Sequence, residues 1–191
     1  MCRLIQNSRQ GILEEMSRLD NMKKQNGFTL IELLTVIAVL SVLATVLVIV
    51  INPTEMQRRS RDSKRTADMS SLRRAIDLAL ADDQVMTASN LNINSGTAVT
   101  NVSGLDLSKY LPTVPQDPSY STGGGSVQVI GASCSAGTMA KSAISYQFWN
   151  DGNTYILRAN MESLSNCPSV QNDGNNNVTY EVGTEPGLNA F

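Results

Sequence analysis

Residues 23–40 read KKQNGFTLIELLTVIAVL: two lysines and a glycine stand directly before an apolar run that contains one acid, Glu32. From Leu33 to Ile51 the run continues for nineteen residues without a charge. Counted from Phe28 it covers 24 residues, roughly 36 Å as an α-helix at about 1.5 Å per residue. A bilayer core is about 30 Å thick, so the segment is long enough to span it. A secretory signal has a shorter apolar region, about 7–15 residues, and ends at a small-residue cleavage site. Here INPTEMQRR follows instead. The apolar segment is therefore expected to stay on the mature protein.

The same stretch, 23–40, resembles the prepilin processing signal of type IV pilins and type II secretion pseudopilins. The resemblance implies cleavage by a prepilin peptidase after Gly27 and N-methylation of Phe28, with Glu32 as the fifth residue after the cut. Leaders of this family are often short and basic, and Met22–Gly27 would form one alone. Residues 1–21 are then a long leader or an upstream start-codon misassignment, and in either case Cys2 is absent from the mature chain. The expected segments are a leader at 1–27, a membrane or filament-core helix at 28–53, an amphipathic helical half at 54–82 and a β-rich head at 83–191. The implied fold is α+β and pilin-like, a long apolar then amphipathic helix packed on a small antiparallel sheet.

Glu32 has a plain explanation and a sharper one. It lies about 6 Å into the helix, close to the membrane surface, and complements the positive end of the helix dipole. In a filament core, however, a buried carboxylate needs a partner. Cleavage creates one in the α-amine of Phe28, which is largely protonated near neutral pH. Glu32 of one subunit is expected to meet the Phe28 amine of its neighbour. Orientation by flanking charge conflicts with this scheme. Arg58, Arg59, Arg61, Lys64 and Arg65 follow the span, outnumbering Lys23 and Lys24 before it, which would place the C-terminal part in the cytoplasm. That count supports the alternative of a single-span, membrane-anchored binding protein that does not polymerise.

Asn52-Pro53-Thr54-Glu55 is a helix start, with Asn at the N-cap, Pro at the first helical position and Glu55 placed for a capping box. The long helix is expected to kink or restart at Pro53. Beyond it, Met69, Leu72, Ile76 and Leu80 form one apolar stripe. Arg58/Asp62, Lys64/Asp68 and Arg73/Asp77 have i,i+4 spacing, which suits either a solvated face or contacts to neighbouring subunits. Nucleic-acid binding is not expected, because aspartates interleave with the arginines and no aromatic residue lies among them.

Residues 83–104 read as a polar connecting loop. LPTVPQDP (111–118) suits neither helix nor central strand and partly resembles the LP-x-DP element of some pseudopilins. Ser126–Ile130 alternates like a strand, Ala143–Trp149 and Thr154–Met161 flank a turn at 150–153, and Val178–Val182 is a last strand. With Cys2 removed, Cys134 and Cys167 remain, and an oxidising compartment suggests a disulfide between them. Asp151 and Asp173 lie in turn sequences that could also offer oxygen ligands to calcium. Asn101 and Asn177 match a glycosylation pattern to which no role is assigned. The absence of histidine removes the commonest general base, and neither a catalytic set nor a cofactor or metal site is expected. The implied partners are further copies of the chain, the prepilin peptidase, the membrane and an inner-membrane assembly platform. The implied location is a single-pass inner membrane with the head outside the cytoplasm, then an extracellular pilus or periplasmic pseudopilus.

Overall fold

The computed structural model describes residues 27–94 and 96–188. The chain divides into two units, one ending at Val50 and the other beginning at Ile51. Helix α1 runs Leu30–Ile51, and every side chain described in it is exposed. Helix α2 runs Pro53–Ala81. Between them Asn52 adopts a left-handed conformation, φ 46°. Its carbonyl accepts from the Glu55 and Met56 N–H groups at 3.1 and 3.3 Å. The Asn52 side chain caps the helix, but the Glu55 carboxylate does not complete the expected box. It turns to the Ser163 hydroxyl and to Arg59.

Strands β1 (Ser89–Ile93), β2 (Ser126–Ile130), β3 (Ala136–Ala140), β4 (Tyr146–Asn150), β5 (Tyr155–Ala159) and β6 (Tyr180–Gly183) follow, with a short helix α3 at Cys167–Asn172 before β6. They form a four-stranded sheet in the order β1-β4-β5-β6 and a two-stranded sheet, β2-β3. All named pairings are antiparallel. In the β4–β5 hairpin Phe148 stands opposite Leu157 and Asn150 opposite Tyr155. Asp151 closes its turn by accepting from the N–H groups of Asn153 and Thr154 at 2.8 and 2.7 Å, while Gly152 takes φ 97°.

The core lies between α2 and this sheet. Met69, Leu72 and Ile76 are fully buried, together with Ala75 and Ala79, against Ile93, Tyr146, Phe148, Tyr155 and Leu157. Leu80 is only partly buried, so the stripe ends on the alanines. The expected loop at 83–104 is corrected. It contains β1, whose Ile93 is buried, and Val102, which is also buried beside Leu105 and Leu107. The hairpin arms are shorter than expected because Ala143 is held in a turn by Ala140. Strand β3, Ala-Gly-Thr-Met-Ala, has little intrinsic strand preference and is organised by its ladder to β2.

Candidate functional site

The N-terminal site is built on the first turn of α1. Gly27 and Phe28 precede the helix, and α1 starts at Leu30 rather than at Phe28. Among the described residues a side chain placed on Gly27 would meet nothing within 4 Å, so their packing gives no reason for glycine there. Thr29 occupies the N-cap. Its N–H and hydroxyl both donate to Glu32 Oε2 at 3.0 Å, and its hydroxyl accepts from the Glu32 N–H at 3.2 Å. This is a reciprocal capping box, with Thr29 and Glu32 three apart. The T-x-x-E spacing was readable in the sequence and supplies a local reason for the acid.

The other polar side chains of the apolar run are satisfied within the helix. Thr35, Ser41 and Thr45 donate back to the carbonyls of Glu32, Ile37 and Ser41 at 2.9, 2.7 and 2.8 Å. Such bonds make hydroxyls tolerable in hydrocarbon. Leu30–Val48 has the length and composition of a membrane span.

In the head, the face that carries Met69 and Leu72 continues toward the start of α2 through Arg65 and Asp62, and both are buried. Arg65 donates through Nε to Asp117 Oδ2 at 2.7 Å and through Nη1 to Asp62 Oδ1 at 2.7 Å. Its Nη2 reaches Asp117 Oδ1, Ser119 Oγ and Glu162 Oε1 at 2.9, 3.1 and 2.7 Å. Arg61 Nε donates to both Glu162 oxygens at 3.0 Å. Asp62 also accepts from the N–H groups of Glu162 and Ser163 and from the Asn166 amide, at 2.9, 2.8 and 2.7 Å. The cluster sets two guanidiniums against three carboxylates, with backbone N–H groups covering the excess negative charge. Burial works against the charged form of Glu162, but Arg61, Ser119 and Arg65 outweigh it and hold this carboxyl below the usual range. Burial likewise opposes charge on Arg65, yet Asp117 and Glu162 raise its pKa above the ordinary arginine value. Buried carboxylates with shifted pKa also mark catalytic sites. Here every carboxylate oxygen is engaged by a cation, an N–H or a hydroxyl, so none is free to take a proton or attack.

Of the expected i,i+4 charge pairs, Arg73/Asp77 forms, whereas Arg58/Asp62 and Lys64/Asp68 are corrected. Asp62 bonds Arg65 rather than Arg58, and Asp68 accepts from the Tyr146 hydroxyl at 2.7 Å. Asp77 accepts from the Tyr155 hydroxyl at 2.5 Å and lies 3.7 Å from Arg73. Burial, followed by these aspartates, raises the pKa of both tyrosines.

Cys134 and Cys167 are disulfide-bonded with their Cα atoms 5.7 Å apart. The bond joins the β2–β3 turn to the start of α3, beside buried Ile130, Met161 and Val170. Asp151 and Asp173 sit on separate turns. Asp151 is held by its own loop, whereas Asp173 accepts from the Glu181 N–H at 2.8 Å through one oxygen and has the other buried without a partner among the described residues. Burial, with the nearby Glu181 charge, pushes Asp173 up to about 6. Expectations that fall on residues 1–26, Cys2 and Met22 among them, lie outside the described residues.

Residues 22–48 match the family model described as the prokaryotic N-terminal methylation motif. The chain carries a prepilin-type methylation signal. The methylation motif ends within α1 and does not extend to the head. No curated protein and no solved structure matches the chain.

Proposed function

We propose that the chain is the precursor of a type IV pilus or pseudopilus subunit, cleaved after Gly27, methylated on Phe28 and polymerised through α1. The carrying observation is the methylation motif placed on a helix whose described side chains are all exposed. Such a helix needs lipid before assembly and other copies of itself afterwards. Gly27 fits this reading because packing among the described residues does not require it, and recognition by the peptidase would supply a reason. In this scheme the head lies outside the cytoplasm, and a membrane assembly platform moves the subunit from bilayer to filament.

Glu32 would then serve twice. Thr29 occupies part of its acceptor capacity, and an ionised carboxylate has about four lone-pair sites. The remainder is available to the Phe28 ammonium of a neighbouring copy. The break at Asn52-Pro53 would let α1 and α2 respond separately during extraction from the membrane.

The alternative, a single-span anchored binding protein, rests on the basic residues after the span. Their formal count overstates the free charge in the folded head. Arg65 is buried among carboxylates, Arg61 pairs with Glu162, and Arg58 and Arg59 share Glu55.

Intact mass and N-terminal sequence of the membrane-associated or filament-associated protein test the reading. A chain starting at methylated Phe28 supports it. A chain retaining Met1 or Met22 in a host with active prepilin peptidase refutes it. Gly27→Leu is expected to leave the head folded and the leader uncut.

A further inference from the structure

Strand β3 (Ala136–Ala140) pairs with β2 alone, and its outer side is open. The Gly131 N–H donates to the Ser135 carbonyl at 2.8 Å and the Lys141 N–H to the Gly125 carbonyl at 3.0 Å. With Val127 opposite Met139 and Val129 opposite Gly137, these bonds fix the alternation of the ladder. Odd-numbered residues of β3 bond toward β2, and even-numbered ones point their backbone groups away. The N–H groups of Ala136, Thr138 and Ala140 and the carbonyls of Ala136 and Thr138 therefore have no partner among the described residues. The Ala140 carbonyl is taken by the Ala143 N–H. Two other edges are covered by the fold. On the far side of β2 the Ile130 N–H donates to the Met161 carbonyl at 2.8 Å, and on β6 the Glu181 N–H is capped by Asp173. Residues 131–140 contain neither a charge nor a proline, the usual guards of a free edge.

We infer that β3 pairs antiparallel with β3 of a second copy of the chain, Thr138 facing Thr138. The exposed residues on either side of Thr138 are both alanine, Ala136 and Ala140, so two-fold pairing sets Ala136 against the second copy's Ala140. An isologous contact needs such a self-matching surface, and threonines paired across strands are favourable. Charge favours the same occupant. From position 83 onward the head has three basic residues, Lys109, Lys141 and Arg158, against eight acidic ones. Lys109 pairs with Asp82 and Arg158 with Glu181, which leaves Lys141 without an ion pair among the described residues. Next to Ala140, it would approach a head of opposite net charge. The two copies' lysines would stand six strand positions apart, roughly 20 Å at about 3.4 Å per residue, beyond the Debye length of about 8 Å. A five-residue edge covers far less than the roughly 800 Å² per partner of a stable complex, so single chains would pair transiently. The contact does not depend on the proposed polymerisation. It closes on itself and cannot propagate a filament. Where chains polymerise it would link two filaments, each repeat adding avidity.

The test uses the full chain in detergent micelles, carrying Thr138→Cys or, as the control, Asn90→Cys, exposed on β1. Oxidative cross-linking is read by peptide mass mapping, and the same digest confirms that Cys134 and Cys167 remain joined. Thr138→Cys is expected to form the symmetric disulfide about tenfold faster than the control, the effect of roughly one net hydrogen bond. Chains with Ala136→Cys mixed with chains with Ala140→Cys should cross-link to each other faster than either does alone, while Trp149 fluorescence stays native. Equal rates at positions 138 and 90 overturn the inference. So does Ala136→Cys alone reacting as fast as the mixture, which would mean a parallel or slipped pairing. In sheared filaments Thr138→Lys, which sets two lysines face to face, should disperse bundles that the parent forms while filament yield stays equal, and bundles that persist overturn the link between filaments. Failure to polymerise at all would refute the proposed function instead, and the micelle cross-link alone then decides the contact.

Discussion

Replacing Arg65 with methionine tests whether the buried charge cluster locks α2 to the head. Arg65 is fully buried and touches Asp62, Asp117, Ser119 and Glu162. Without it Asp62 keeps two N–H groups and Asn166, and Glu162 keeps Arg61 and Ser119. Asp117, 2 % exposed, is left with the Ser119 N–H at 2.8 Å. Removing one partner of a buried ion pair costs about 3–5 kcal/mol. For a domain of this size that lowers the melting temperature by roughly 10–20 °C. Urea unfolding of the full chain in detergent, read by the single tryptophan, Trp149, separates head unfolding from a micelle-bound α1. Arg65→Met/Asp117→Leu should recover most of the loss, because a buried pair can be replaced by apolar groups at little cost. The acid limb provides a second reading. Glu162 has a depressed folded pKa, so its stabilisation is complete above the unfolded value and is lost as pH falls through the folded one. In Arg65→Met that loss should be smaller. A single variant within about 1 kcal/mol of the parent, or a double variant no better than the single, refutes the reasoning.

Glu32→Gln preserves the capping-box pattern and removes the charge. It should be cleaved normally but lose filament assembly in a shearing assay, and full assembly would limit Glu32 to helix capping. Asp173→Asn should stabilise the head at pH 7 by about 1–2 kcal/mol, the full shift being reduced by solvent screening of this half-buried group, and leave it unchanged near pH 3. The sign follows from a folded pKa raised from 3.8 to about 6, whose favourable neutral form is lost as pH rises across that interval. Urea midpoints at both pH values check it. Cys134→Ser/Cys167→Ser opens a loop with a sequence separation of 33 and should cost about 3–4 kcal/mol by loop entropy. The comparison is with the oxidised parent, and reducing agent should abolish the difference.

Much of the architecture was legible because it rests on local patterns. The apolar run, the Asn52-Pro53 restart and the Met69-Leu72-Ile76 stripe each follow from helical spacing and capping. Ser126–Ile130 and the hairpin at Asp151-Gly152 follow from alternation and turn chemistry. Strand β1 was hidden because Ser-Asn-Leu-Asn-Ile has weak strand preference and its order comes from pairing with β4, far along the chain. The charge cluster was hidden for a related reason. Asp62 and Arg65 continue the spacing of the apolar stripe, but solvated and buried charges look alike until their partners are known. Those partners, Asp117 and Glu162, lie 52 and 97 residues beyond Arg65. The partly matching LPTVPQDP segment contains Asp117, yet no local rule links it to α2. At the N-terminal site the Thr29-x-x-Glu32 spacing is itself a capping-box signal in the sequence, beside the dipole and the amine.

The left-handed Asn52 has a mechanical consequence. Pro53 supplies no N–H, and the N–H groups of Glu55 and Met56 close on the Asn52 carbonyl. The first turn of α2 therefore closes these bonds on Asn52 itself. Rotation about the Asn52 N–Cα bond leaves these bonds intact, whereas rotation about Cα–C would break the contacts of Asn52 Oδ1 with the Thr54 hydroxyl and the Glu55 N–H. Membranes of unequal thickness impose different tilts on a rigid rod, and here rotation about the one N–Cα bond of Asn52 can absorb part of the change while the head keeps its internal bonds.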